Sequence, residues 1–203
     1  MRIVTWNVNS LNVRLPRVLE FLEQHDPDVV CLQETKCEPT AFPRKQLSSA
    51  GYDSADHSGG RWSGVAILAR DDLGIADVAA GLPGEPDASE ARWLEATVGA
   101  VRLASVYVPN GREVGSDTFD AKLRFLEAAV ERVAALRGTP LAVCGDMNVA
   151  RADIDVYDPA AFAESTHVTP EERALLERML ADGGLVDSYR ELHPDEVGYT
   201  WWD

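Results

Sequence analysis

Apolar, strand-like runs that each end in a short polar motif constrain the fold of this chain more than any other feature. The motifs are Trp6-Asn7-Val8-Asn9, Leu32-Gln33-Glu34-Thr35, Tyr107-Val108-Pro109-Asn110-Gly111 and Gly145-Asp146-Met147-Asn148. In α/β folds, ligand-binding side chains collect at the carboxyl ends of strands. Uncharged amides, two carboxylates and a phenol at such ends indicate metal-dependent phosphodiester chemistry.

The apolar spacing predicts a β-α-β opening followed by antiparallel hairpins. Residues 2–8 form a strand, and a helix follows whose apolar face is Leu15, Val18, Leu19 and Leu22. Pro27 ends this helix, and the apolar segment Asp28–Leu32 predicts a strand covered on both faces. Further strands are predicted at Trp62–Arg70, Trp93–Val98 and Val101–Val108, with Gly99-Ala100 as a hairpin corner.

The second half of the chain contains two more predicted helices. One has the apolar face Phe119, Leu123, Leu126, Val130 and Val133, and precedes the buried-type strand Leu141–Cys144. The other begins at the capping box Thr169-Pro170-Glu171-Glu172 and ends at Gly183-Gly184. Segments 81–87 and 150–168 are predicted loops. Crossover helices combined with hairpins favour a layered α/β or α+β sandwich with mixed sheets.

Composition sets limits on domain number, location and partners. With 203 residues, 45% of them hydrophobic, we expect one domain over residues 1–203. The net charge of −15 repels nucleic acid at long range, so DNA binding would need local basic patches. No window could span a membrane and Met1 begins a strand directly, which predicts a cytoplasmic protein. Cys31 and Cys144 lie inside apolar runs, so we expect buried thiols there.

Four strand-end positions are the candidates for chemistry. Glu34 follows an apolar run and could ligate Mg²⁺, which takes one or two protein carboxylates; a solvated Glu is the alternative. Asn7 ends the first strand but could simply form a turn. Gly145-Asp146-Met147-Asn148 combines a close backbone approach with a proton-handling group and an amide, or is a turn. Tyr107 is either a phenol donor or core packing.

Together, and in this order, the motifs resemble the exodeoxyribonuclease III branch of abasic-site endonucleases in the endonuclease/exonuclease/phosphatase superfamily. The resemblance extends from Met1 to Asp203 and includes further segments at Pro27-Asp28-Val29-Val30, Gly64-Val65-Ala66-Ile67-Leu68, Gly184-Leu185-Val186-Asp187 and Thr200-Trp201-Trp202-Asp203. It implies an α/β (α+β) fold, a four-layer sandwich of two mixed β-sheets flanked by helices. It also implies Mg²⁺-dependent (or Mn²⁺-dependent) DNA phosphodiester hydrolysis, 5′ to abasic sites and from 3′ ends, by a monomer acting on double-stranded DNA in base excision repair.

The resemblance also assigns roles to the strand-end residues. Glu34 would bind the divalent metal with Asn7 beside it. Asp146 would orient or activate water or protonate the leaving oxygen. Asn148 and Tyr107 would hydrogen-bond the phosphate as negative charge develops on it.

Other residues match positions where the family contacts DNA. Arg92 and Lys122 match positions that approach the backbone, and Asn110 and Arg112 lie in a loop able to reach a strand. Trp201 matches the aromatic that packs against the abasic sugar, with core packing as the alternative. Ordinary surface charge is the alternative for each charged residue. A basic rim could be completed by Lys36, Arg44, Lys45 and Arg61.

The family pattern continues beyond Trp201-Trp202-Asp203 with a Gly-x-Arg-x-Asp-Tyr-type motif and a Ser-Asp-His motif, and neither is in this sequence. We therefore expect a C-terminally incomplete domain that lacks its last strands, with an exposed sheet edge and marginal stability. Two alternatives to a DNA repair nuclease remain. One is a phosphodiesterase of the same superfamily that acts on a small molecule or lipid head group, and the other is a catalytically inactive truncated domain.

Overall fold

The computed structural model describes residues 1–200. Its strands are β1 Ile3–Asn7, β2 Val29–Gln33, β3 Tyr52–His57, β4 Val65–Arg70, β5 Ala76–Ala80, β6 Trp93–Val98, β7 Val101–Tyr107 and β8 Leu141–Asp146. Its α-helices are α1 Leu11–His25, α2 Arg44–Ser49, α3 Asp117–Ala135, α4 Pro170–Gly183 and α5 Ser188–Leu192. Among these residues no helix has the length and apolarity needed to cross a membrane.

The chain forms two compact units. The first consists of Met1–Leu82, Asp87–Tyr107 and Thr139–Asp146, and it contains both β-sheets together with α1 and α2. The second consists of Pro83–Pro86, Val108–Gly138 and the chain from Met147 onward, and it contains α3, α4 and α5. One domain over residues 1–203 stays a prediction.

Both sheets of the first unit are mixed, as predicted. One sheet has the strand order β1-β2-β4-β3, and the other has the order β5-β6-β7-β8. β1 pairs with β2 and β7 pairs with β8 in parallel, whereas the remaining neighbours are antiparallel. The hairpin at Gly99-Ala100 is confirmed, because Val98 pairs with Val101 across it and Gly99 has a φ of 58°, a left-handed conformation that glycine adopts without strain.

The core of the first unit lies on both faces of β2. Val29 and Cys31 pack with residues of the second sheet, including Leu94 and Leu103. The alternate residues of β2 pack instead with α1, through Leu11, Val18 and Leu22 of that helix. Side chains on a strand alternate between faces, so a strand covered on both sides carries apolar residues on both faces. The apolar run seen in the sequence is explained by this position.

The second unit is built on α3 and α4. The described apolar residues of α3 include Phe125, Leu126 and Val133, and those of α4 include Leu175 and Met179, all of them buried. A Cβ added to Gly183, the last residue of α4, would lie 2.3 Å from Val133 Cγ1. The capping box is confirmed, since the Thr169 hydroxyl accepts from Glu172 N and the Glu172 carboxylate accepts from Thr169 N.

Four elements were not predicted from the sequence, namely α2, β3, β5 and α5. The residues of β5 are all exposed and give no apolar alternation to detect. The expectation of a buried Cys144 is wrong, because that side chain is only partly buried. Cys144 lies in β8, which is the edge strand of its sheet in the described part of the chain, and every residue of β8 is partly exposed.

Candidate active site

Two pairs of parallel strands bring the predicted polar residues to strand ends within the first unit. Asn7 is the last residue of β1, and Glu34 directly follows β2. Tyr107 and Asp146 are the last residues of β7 and β8 and are register partners. Parallel strands place their carboxyl ends at the same edge of a sheet. Within each sheet, the parallel pairing therefore explains why Asn7 lies near Glu34 and why Tyr107 lies beside Asp146.

Asn7 joins the two carboxylates. Its Nδ2 donates to Glu34 Oε1 at 2.7 Å and to Asp146 Oδ2 at 2.9 Å. Its Oδ1 accepts from the backbone N–H of Asn9 at 3.0 Å, which fixes the orientation of the amide. Two carboxylates on one amide nitrogen form a site that attracts a cation.

The backbone at Glu34 is strained and is held in place by its neighbours. Glu34 has a φ of 51°, which costs about 1–3 kcal/mol for a residue other than glycine. Its carbonyl accepts from Ser10 N at 2.7 Å, and Thr35 N donates to Gly64 O at 3.0 Å. A Cβ on Gly64 would lie 2.2 Å from Thr35 Oγ1, so this contact requires glycine. These contacts direct the Glu34 side chain to the strand ends.

Lys36 is the charged partner of Glu34. Its Nζ lies 2.7 Å from Glu34 Oε2. Burial raises the pKa of Glu34, but hydrogen bonds from Lys36 and Asn7 outweigh burial and hold that pKa below its ordinary value. The carboxylate is therefore ionised at neutral pH. The sequence indicated Lys36 only as part of a basic rim and not as the counter-ion of Glu34.

Tyr107 contributes a neutral phenol. Burial and the nearby negative charge of Glu34 raise the pKa of Tyr107 to about 12, and the two side chains are hydrogen-bonded. Because the phenol stays protonated at working pH, its hydroxyl is a donor. Of the two readings of Tyr107 that the sequence left open, the geometry favours the phenol donor.

Arg92 is the support of Tyr107. Its guanidinium stacks on the Tyr107 ring at 4.7 Å, and its Nη1 donates to the Tyr107 carbonyl at 3.3 Å. Glu90 accepts from Arg92 Nε at 2.6 Å, and the Arg92 side chain is only 11% exposed. The guanidinium is thus committed to Tyr107 and Glu90, and a phosphate contact by Arg92 stays a prediction.

The donor set fits a divalent metal such as Mg²⁺. Glu34 and Asp146 supply hard carboxylate oxygens, and a positive group, the Lys36 ammonium, already sits against Glu34. Mg²⁺ in proteins is commonly held by one or two carboxylates while the remaining ligands are water. Asn7 donates through nitrogen here, so its place beside the metal stays a prediction.

The second unit holds the remaining candidates. Asn148 has a φ of 48°, and its Nδ2 donates to Val108 O at 2.8 Å. Asn110 is exposed, and its Oδ1 accepts from the backbone N–H of Arg112, which is also exposed. The DNA contacts of Asn110 and Arg112 stay predictions. Trp201 lies outside the described residues.

The burial of Lys122 corrects the sequence analysis. A residue expected at a DNA-facing surface is instead fully buried and forms an ion pair with Glu172. The apolar spacing of α3 could not reveal this, because the partner lies 50 positions along the chain and reads in sequence only as part of a capping box. Thr166 and His167, which contact the same cluster, were also missed.

Known proteins with similar sequences are DNA-processing enzymes. The "DNA repair nuclease" of Danio rerio is 33% identical over the whole of this chain and 66% of its own length. The "Exodeoxyribonuclease" of Bacillus subtilis is 31% identical over the whole chain and 80% of its own length. This chain thus spans about two thirds of the first relative and four fifths of the second.

Solved structures show the same fold. A 3′ phosphatase from Neisseria bound to a product DNA hairpin matches with a TM-score of 0.95 at 39% identity, over 100% of this chain and 79% of that one. An AP endonuclease from Archaeoglobus fulgidus matches with a TM-score of 0.94 at 32% identity, over 100% of this chain and 78% of that one. These matches confirm the predicted class of two mixed β-sheets flanked by helices. A sequence profile of the Endonuclease/Exonuclease/phosphatase family matches residues 4–203, and the chain belongs to that family.

Proposed function

We propose that this chain hydrolyses DNA phosphodiesters in a Mg²⁺-dependent reaction, at 3′ ends and 5′ to abasic sites, in base excision repair. The observation that carries the proposal is the pair of carboxylates, Glu34 and Asp146, joined through Asn7 beside the neutral phenol of Tyr107. The names of the relatives support DNA as the substrate. On the sequence argument alone, we further expect a cytoplasmic monomer.

The side chains of the first unit divide the work of this reaction. Asp146 is the proton-handling group, which takes a proton from the attacking water or gives one to the leaving oxygen. Tyr107, whose hydroxyl is hydrogen-bonded to Glu34, would redirect that one hydrogen to a phosphate oxygen as charge develops there. Asn7 keeps Glu34 and Asp146 at fixed separation, so neither has to reorganise during the reaction.

Glu34 is the proposed ligand of Mg²⁺, with Asn7 beside it. A bound Mg²⁺ would neutralise the phosphate charge and polarise its oxygen. Mn²⁺ has the same preference for oxygen ligands and would substitute for Mg²⁺. The ionised state of Glu34, maintained by Lys36 and Asn7, is the state that such a ligand needs.

Small-molecule phosphodiester hydrolysis is the rival function. The net charge of −15 suits a small substrate, because nothing in the overall field attracts a polyanion. Competition separates the two functions, since duplex DNA should inhibit hydrolysis of a small aryl phosphodiester only if DNA occupies the same site.

The first test is cleavage of an abasic-site duplex and of a recessed 3′ end with Mg²⁺. We expect the chain to cleave both substrates and to lose both activities in a chelator. The cleavage rate should fall by about 100-fold or more in Glu34→Gln, because a metal contribution of several kcal/mol to the barrier corresponds to this factor. Glu23→Gln is the matched control, since Glu23 is exposed on α1.

The outcomes of this test are distinct. The proposal is supported if cleavage is sensitive to the chelator, is lost in Glu34→Gln and is retained in Glu23→Gln. A folded chain that cleaves neither substrate would support the inactive-domain alternative. Full activity in Glu34→Gln would exclude Glu34 as the metal ligand.

A further inference from the structure

We propose that Lys122 is a positioning residue that holds the loops of Asn110 and Asn148 through a buried ion pair with Glu172, and does not itself contact DNA phosphate. The inference rests on the proposed function, because it depends on substrate contacts made by those two loops. It concerns only the second unit, in which all of these residues lie.

Lys122 connects the two loops through their backbone. Its Nζ donates to the carbonyl of Asn148 at 2.6 Å and to the carbonyl of Asn110 at 3.2 Å. The Thr166 hydroxyl accepts from the same nitrogen at 3.1 Å, and its oxygen lies 3.1 Å from the Asn110 carbonyl oxygen. One ammonium therefore fixes two segments that are far apart in sequence, and both carry residues predicted to contact the substrate.

Glu172 holds the Lys122 ammonium in place. Both side chains are 0% exposed. Glu172 Oε1 also accepts from Thr166 Oγ1 at 2.7 Å and from His167 N at 2.9 Å, while Oε2 accepts from the hydroxyl of Thr169 at 2.9 Å. A buried ion pair is tolerated only when its remaining hydrogen-bonding groups are satisfied, and those of Glu172 are.

The loop backbones need such support because they are strained. Asn148 has a φ of 48° and His167 a φ of 84°, and neither residue is glycine. His167 Nδ1 lies 2.6 Å from the Asn148 carbonyl, which can only accept, so that nitrogen donates. A Cβ added to Gly111 would lie 2.9 Å from Lys122 Cδ, which shows how closely the Asn110 loop packs on the lysine.

The same contacts argue against a DNA phosphate as the partner of Lys122. An ammonium has three hydrogens to donate. Those of Lys122 are directed at two carbonyls, a hydroxyl and a carboxylate, and the side chain has no exposed surface. Reaching a phosphate would require the ammonium to leave Glu172 as an unpaired buried charge.

The test compares Lys122→Met with the double variant Lys122→Met/Glu172→Gln. The single variant leaves the Glu172 carboxylate unpaired, so we expect its Tm to fall by about 10 °C. The double variant removes both charges, and its glutamine can still bond Thr166 and Thr169, so its Tm should return close to wild type. In both variants the Asn110 and Asn148 carbonyls still lack the hydrogen-bond donor that the Lys122 ammonium supplies. Arg178→Met, at an exposed arginine of α4 to which no role is assigned, is the control.

Three readouts separate positioning from the other roles. In the double variant, kcat for the abasic duplex should stay about 10- to 100-fold low with KM little changed, as expected for misplaced substrate-binding groups. The slope of log affinity against log salt, measured in chelator, should equal that of wild type. Amide hydrogen exchange should be faster in segments 108–112 and 147–150, while α3 and α4 exchange as in wild type.

Three results would overturn the proposal. Recovery of both Tm and kcat in the double variant would leave the ion pair with a stabilising role only. A salt slope smaller by about 0.9 in Lys122→Met, with no such change in Arg178→Met, would make Lys122 a phosphate contact. Hydrogen exchange needs no catalysis, so an inactive wild type would contradict the proposed function, whereas unchanged exchange in the two segments would contradict this inference.

Discussion

Replacing Asp146 with asparagine is expected to lower kcat on abasic duplex DNA by about 10²–10⁴-fold, the usual contribution of a positioned acid or base. Asparagine has the shape of aspartate, and its Oδ1 can still accept the hydrogen bond that Asn7 Nδ2 gives at 2.9 Å. The arrangement of the site should therefore survive while proton transfer is lost. The measurement is single-turnover cleavage with saturating Mg²⁺, together with the affinity of the uncleaved duplex.

Asp53→Asn is the control for this substitution. Asp53 is an exposed strand residue of β3, so the same chemical change there should leave kcat unaltered. DNA affinity of the Asp146 variant should be equal or slightly higher, because one negative charge is removed. A variant that kept wild-type kcat would eliminate Asp146 as the proton-handling group, and a tenfold or greater loss of affinity would make its main role substrate binding.

Much of the first-unit site could be predicted because its residues follow recognisable strands. Asn7, Glu34 and Asp146 each come at the end of an apolar run, and strand ends in α/β folds are where ligand sites form. The amino-acid sequence alone could not show which of these side chains contact one another. That Asn7 bonds both carboxylates, and that Lys36 pairs with Glu34, depends on side-chain directions and on the left-handed backbone at Glu34.

The second unit could be predicted less well, for a different physical reason. Lys122 looked like a surface charge, because a lysine is rarely buried unless it has a partner. Its partner Glu172 is accounted for in the sequence by the capping box of α4. The sequence therefore gives no reason to expect that Glu172 also forms a long-range ion pair. Both roles of Glu172 are real, but only the tertiary structure shows the second.

The fold was predicted where apolar periodicity is strong and missed where it is weak. The sequence marks β2, β6 and β7 because their buried faces need apolar residues. Strand β5 is exposed throughout and α5 contains no buried residue, so neither leaves a pattern in the sequence. Cys144 was misjudged because the composition of β8 resembles that of a central strand while its position is at an edge.

Gly145→Ala is expected to destabilise the chain by about 3 kcal/mol, which for a protein of this size lowers Tm by roughly 6–12 °C. The new Cβ would lie 2.0 Å from the Val106 carbonyl oxygen and 2.9 Å from Val106 N. These are backbone atoms of the neighbouring strand, so no side-chain rotation can relieve the contact. β8 must instead move away from β7, which breaks the pairing of Tyr107 with Asp146 directly beside it.

The same substitution should therefore remove activity as well as stability, and Gly99→Ala provides the matched control. Gly99 lies in the β6–β7 turn with a φ of 58°, and a Cβ there meets nothing within 4 Å. Its replacement costs only the left-handed strain of alanine, about 1 kcal/mol, and should preserve kcat. Thermal unfolding and abasic-site cleavage of the two variants, compared at a temperature where both are folded, make the test. If Gly145→Ala had the same Tm and the same kcat as Gly99→Ala, the close packing of β8 on β7 would not be what positions Asp146.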